Sequence, residues 1–189
     1  MRTFLKRTLI APAVLLLVSL PGVSASADTA VTFINIGPVS FTNLNTGATV
    51  SCATSILTGD ARPFPDPVIT FNTASFQDCD GDFLLFHVTA SGLPWGFYST
   101  SYDPTTDTVF GQPNDTSVRV EASDGCVATV SGSVSASYAN PGGTFSLNGG
   151  GTLEVKATNG LCDPSLINVG DQYEAQGDYQ ASPMVVIRP

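Results

Sequence analysis

The sequence predicts an all-β protein, an antiparallel β-sandwich or partly closed β-barrel of about ten strands held by two disulfides. Three observations carry this expectation. Apolar residues alternate with Ser and Thr over long stretches, the period of a strand with one face in a core and one in water. Turn residues are abundant, with 18 Gly and 13 Pro in 189 residues. Four cysteines, an even number, follow an N-terminal export signature.

The strand segments follow in order. Alternation or β-branched and aromatic enrichment marks 31–36, 39–44, 48–57, 68–76, 83–90, 118–122, 144–147, 152–157, 172–176 and 184–187. The clearest run is 126–138, where Cys126, Ala128, Val130, Val134, Ala136 and Tyr138 share one face and Thr129, Ser131, Ser133, Ser135 and Ser137 the other. Gly132 interrupts the apolar side and is suited to bend the run so that it passes between sheets or curls around a barrel. Asn45-Thr46-Gly47, Asn140-Pro141-Gly142-Gly143 and Asn148-Gly149-Gly150-Gly151 supply turn chemistry. One helical signal stands out: Asp163 as cap and Pro164 as first residue allow a short helix over 164–169, ended by Gly170.

Residues 1–27 read as a signal peptide. Arg2, Lys6 and Arg7 form the basic start, an apolar run extends over 9–20, and Ala25-Ser26-Ala27 fits signal peptidase. The run is short for a membrane span, which needs about 20 residues, and no Cys stands near the cleavage point to take a lipid. The expected product is a single secreted domain, 28–189, without a membrane span. Of the 7 basic residues three leave with the signal, so 4 remain against 16 acidic ones, a net charge near −12. Nucleic acid and anionic lipid surfaces both require clustered Lys or Arg, so neither is an expected partner.

In an exported chain Cys52, Cys79, Cys126 and Cys162 are read as disulfides rather than zinc ligands, because no close Cys pair and only one His are present. Of three possible pairings, Cys52–Cys79 with Cys126–Cys162 closes two loops of similar size. A faint repeat, Cys52-Ala53-Thr54 against Cys126-Val127-Ala128-Thr129 and Cys79-Asp80 against Cys162-Asp163, fits an internal duplication or coincidence equally well.

The stretches Ala90-Ser91-Gly92-Leu93-Pro94-Trp95, Thr100-Ser101-Tyr102-Asp103, Gly125-Cys126-Val127-Ala128-Thr129-Val130-Ser131-Gly132 and Leu166-Ile167-Asn168-Val169-Gly170-Asp171 resemble a group of small exported β-rich proteins of actinobacteria without an assigned activity. The resemblance implies an exported, disulfide-bonded β protein and carries over no catalytic or binding residues.

Candidate chemistry is sparse. His87, the single imidazole, lies in an apolar strand on the face of Phe83 and Leu85, and no G-x-S-x-G elbow accompanies it, so it is read as structural. Oxidised cysteines offer no thiolate. Among 16 acidic residues a facing carboxylate pair of the glycosidase kind is open, but one Trp and few basic residues suit a sugar cleft poorly. Asp78, Asp80 and Asp82 suggest calcium by their spacing, yet Thr89 stands where an EF-hand needs its bidentate Glu, and a solvated hairpin beside a disulfide is the better reading. No cofactor or metal is expected. Trp95, Phe97, Tyr98 and Tyr102 form the densest aromatic segment; alternation sets Trp95 and Phe97 on the opposite face to Tyr98. Trp95, Tyr98 and Tyr102 are the candidate binding residues. The functional expectation is a secreted extracellular or envelope-associated protein, non-catalytic, binding an extracellular ligand or envelope component or serving a structural role. The alternative is a secreted hydrolase or enzyme inhibitor with a site built from dispersed carboxylates or a loop. A buried pocket lined by aromatics would favour ligand binding, an open cleft with facing carboxylates hydrolysis.

Overall fold

A computed structural model describes residues 28–81 and 84–188; residues 1–27, on which the expected signal peptide falls, and Asp82, Phe83 and Pro189 lie outside the described residues. The described chain is thirteen strands in one antiparallel sheet. They are β1 (Thr29–Asn35), β2 (Val39–Asn43), β3 (Thr49–Ala61), β4 (Ile69–Gly81), β5 (Leu84–Ser91), β6 (Trp95–Asp103), β7 (Thr108–Asn114), β8 (Thr116–Ala122), β9 (Val127–Gly132), β10 (Val134–Ala139), β11 (Thr144–Gly151), β12 (Leu153–Thr158) and β13 (Gln172–Ser182).

The sheet closes on itself twice. One circuit of pairings runs β13, β1, β3, β4, β6, β7, β10, β11 and back to β13. The other runs β13, β2, β3, β4, β5, β8, β9, β12 and back. The long strands β3, β4 and β13 belong to both, each giving one half of its length to each circuit. β4, for example, pairs with β6 at Ile69–Phe71 and with β5 from Ser75 to Gly81. Closure removes most free edges, which would otherwise expose unpaired amides.

Gly132 is the pivot of this arrangement. The alternating run over 126–138 is split there into β9, which lies between β8 and β12, and β10, which lies between β7 and β11. Gly132 takes φ +149°, and a Cβ on it would sit 2.2 Å from the Thr152 carbonyl oxygen. Only glycine permits both the conformation and the approach. One sequence run therefore feeds both circuits, as its central glycine suggested.

Several elements differ from the sequence expectation. Strands β6 and β7 were absent from it: a register shift between Ser99 and Ser101 breaks the alternation of β6, and β7 carries Gly111 and Pro113. Segment 184–187 is not a strand. It follows Pro183 and is tied down by side chains: Tyr138 Oη donates to the Val185 carbonyl at 2.7 Å, and Asn140 brackets Ile187, accepting its amide at 2.7 Å and donating to its carbonyl at 2.8 Å. Residues 164–169 form a capped turn rather than a helix. Asp163 Oδ1 accepts the Ser165 amide at 2.8 Å as a cap should, but the Asn168 amide, which would extend a helix onto Pro164, goes to Asp171 Oδ2 at 2.8 Å.

Both disulfides have the expected pairing, Cys52–Cys79 and Cys126–Cys162. Their settings are unlike: Cys52 and Cys79 are directly opposite on β3 and β4, whereas Cys126 precedes β9 and Cys162 lies in the turn beyond β12.

The first circuit is filled by rings. Phe145 at its centre has centroids 5.7 Å from Phe33, 5.3 Å from Phe71, 5.4 Å from Phe97 and 6.3 Å from Tyr179. Tyr179 is 1% exposed and its hydroxyl meets that of Ser55 at 2.9 Å. Burial pushes the Tyr179 phenol up to about 12. Because the unfolded phenol titrates near 10, the neutral ring stabilises the fold fully below about pH 10, and that contribution is lost as pH rises toward 12. Urea unfolding at increasing pH should show stability falling across this window, and Tyr179→Phe should flatten the fall. An unchanged slope in Tyr179→Phe would refute the assignment.

Candidate functional site: an apolar interior cavity

The second circuit is not filled. Its inward positions are dominated by slim side chains, Val88, Val118, Val120, Ala128, Val130 and Ala175, with Phe41, Phe76 and Phe86 between them, and they enclose a cavity of about 110 Å³. Phe71, Phe145 and Tyr179 of the packed half form its floor. An apolar cavity of about 150 Å³ stays dry and holds benzene, and this space is of the same order.

Strand geometry sets its shape. Thr116, Val118, Val120 and Ala122 all line it, being the alternate residues of one face of β8. At about 3.3 Å per residue those positions extend over roughly 20 Å, so the lined wall runs the length of β8. Thr116 pairs with Gly132 and Ser117 with Ser91 at the floor end. At the other end Glu121 pairs with Val127, close to Cys126, and exposed Asp124 and Asp163 with half-buried Leu166 and Ile167 surround the mouth.

The mouth is held by two devices. The Cys126–Cys162 bridge draws together the start of β9 and the turn after β12, with Asp124 and Asp163 flanking it. The opposite end of that turn is fastened to β2. Asn43, fully buried, donates to Asp171 Oδ2 at 2.7 Å and to the Leu166 carbonyl at 3.0 Å, while its Oδ1 accepts the amide of Asn45 at 2.9 Å. Leu166 and Ile167 are thereby set over the opening.

Of the three aromatic candidates, the structure brings only Trp95 to the cavity. Trp95 is 4% exposed, lines the wall, and its indole Nε1 donates to the Ser91 carbonyl at 2.9 Å. Tyr98 faces outward at 39% exposure. Tyr102, at the far end of β6, donates to Asp107 at 2.8 Å beside Arg188 and Asn140. The three do not share a surface. The Arg188 guanidinium holds the Asp107 carboxyl well below the usual carboxylate range, with Tyr102 and Asn140 adding donors, so this cluster is a clamp on the C-terminal segment. Phe97, as alternation implied, is fully buried with Trp95 and opposite Tyr98.

The remaining candidates point away from the cavity. His87 is exposed on the outer face of β5 beside Leu85, opposite Glu121, and therefore supports no buried structural role. Asp78 and Asp80 are exposed on β4, and Asp82 lies outside the described residues. No group of three or more metal-ligating side chains occurs among the described residues. Asp103, Asp107, Glu154 and Asp163 all have carboxyl pKa values displaced downward, each by hydrogen bonds from its neighbours first. A general acid would require displacement upward. A second space of about 250 Å³, between Arg62 and the 184–187 segment, offers a single titratable side chain, whose Nε already donates to the Pro67 carbonyl at 2.8 Å.

The cavity itself was invisible in the sequence as a site. Its lining residues are ordinary core types, and only the strand register, with Val and Ala facing one another across the second circuit, leaves space. No helix among the described residues is long and apolar enough to cross a membrane. Comparison with protein-family models, with curated proteins and with solved structures gives no match. Fold and site thus define an all-β, doubly disulfide-bridged protein with a mouthed apolar interior.

Proposed function

We propose that this protein is a non-catalytic extracellular binding protein that carries a small apolar ligand in the hollow half of its sheet. The observation that carries the reading is the apolar cavity with Trp95 in its wall. Binding sites for small molecules are concave, mostly apolar and furnished with few polar groups, and this one meets all three criteria. Two disulfides accord with an oxidising compartment, and the export signature and the resemblance to exported actinobacterial proteins support the same setting. The hydrolase alternative lacks support at the cavity: its two carboxylates, Asp124 and Asp163, both accept amides of their own loops, at 2.9 Å from Cys126 and 2.8 Å from Ser165.

The test uses the only Trp in the chain. Titration with the neutral fluorophore N-phenyl-1-naphthylamine should give saturable binding at one site, with blue-shifted probe emission and quenching of Trp95. Val120→Trp, which fills the channel, should abolish it. Binding that is absent, or unaffected by filling the cavity, would overturn the reading.

A further inference from the structure

Deep in the cavity one polar atom has no partner. Thr116 is 9% exposed, its Oγ1 is buried without a hydrogen bond, and its side chain lines the cavity near the floor. Buried hydroxyls are almost always paired, because leaving one unpaired forfeits its hydration without compensation. A buried hydroxyl without a partner in a mostly apolar channel is therefore a specific contact point for a guest.

The mouth constrains the charge of that guest. Asp124 and Asp163 border it, no Lys or Arg lines the cavity, and the Ser165 amide keeps Asp163 ionised. A carboxylate headgroup left at the mouth would meet two like charges. Inserted headfirst, it would lie desolvated against a single hydroxyl, which cannot compensate for burying a full charge. An unbranched chain can follow the roughly 20 Å of inward β8 positions from Thr116 to the mouth.

Resting on the apolar-ligand reading above, we infer that the cavity takes an uncharged single-chain lipid bearing a terminal hydroxyl, a long-chain alcohol, which enters oxygen-first and hydrogen-bonds Thr116 Oγ1. Fatty acids are disfavoured at both ends of the channel, by like charge at the mouth and by desolvation of the carboxylate at the floor. Trp95 is well placed to report this contact, since its indole is bonded to Ser91, whose strand partner Ser117 adjoins Thr116.

The experiment is displacement of N-phenyl-1-naphthylamine by 1-decanol and by decanoate at pH 7, on wild type, Thr116→Val and Thr116→Ser. 1-Decanol should displace the probe and shift Trp95 emission, and decanoate should require at least about tenfold more. Thr116→Val should keep the wild-type circular dichroism and cooperative urea unfolding, which shows that it is folded, but should weaken 1-decanol by up to about tenfold, the scale of one neutral hydrogen bond. Thr116→Ser should restore the affinity. If Thr116→Val binds 1-decanol undiminished, or decanoate competes as well as 1-decanol, the inference is overturned while the apolar-ligand reading stands. If wild type binds no probe, both are overturned.

Discussion

Replacing Phe145 by alanine will lower the unfolding free energy by about 3–5 kcal/mol, the cost of deleting a fully buried ring and leaving space behind. Phe145 is 0% exposed and its ring touches four others, from β1, β4, β6 and β13, so no single neighbour can move in to refill the gap. At roughly 2–4 °C per kcal/mol for a domain of this size, the melting temperature should drop by about 6–20 °C. Phe110→Ala is the control, because that ring is 41% exposed on β7 and its loss should cost under about 1 kcal/mol. Phe145 also forms the floor of the cavity. Its truncation should lengthen the channel, so that below its melting temperature the variant still binds N-phenyl-1-naphthylamine. A variant within about 1 kcal/mol of wild type by urea unfolding would mean that the packed half is not the stabilising core described.

How far the sequence could have anticipated this depends on which signal each element carries. Alternation located the strands whose one face is buried throughout, β9 and β10 above all, and Gly132 announced the transfer between circuits because a close backbone approach needs a missing Cβ. It failed on β6 and β7, where a register shift and Pro113 spoil the period although the ladders are intact. It over-read 184–187, an apolar segment whose backbone is satisfied by Tyr138 and Asn140 rather than by a strand. The disulfide pairing was legible from export and spacing. The site was legible only in part. Strand parity separated Trp95 from Tyr98, but whether Trp95 meets core or cavity depends on what faces it across the second circuit, and that is fixed by pairings between residues far apart in the chain. Thr116 left no sequence signal, since one threonine among many is marked only by the partner it lacks.

Removing the two disulfides one at a time will separate stability from binding. Their half-cystines are 27 and 36 residues apart, so in the chain-entropy description each bridge contributes roughly 4 kcal/mol, with little difference between them. The paired variants Cys52→Ser with Cys79→Ser, and Cys126→Ser with Cys162→Ser, should therefore shift the urea midpoint by similar amounts. Binding should not follow that symmetry. Cys52 and Cys79 face each other inside the long β3–β4 ladder, whose hydrogen bonds hold the register without the bridge. Cys126 lines the cavity, and the second bridge anchors one end of the turn that carries Leu166 and Ile167 over the mouth; Asn43 and Asp171 secure only the other. A turn released at one end must be ordered again when a ligand is enclosed, and that ordering is subtracted from affinity. Loss of the second bridge should accordingly weaken N-phenyl-1-naphthylamine binding several-fold, while loss of the first leaves it within about twofold of wild type at temperatures where both variants are folded. Equal loss of affinity in the two variants would mean that the mouth is not organised by the Cys126–Cys162 bridge.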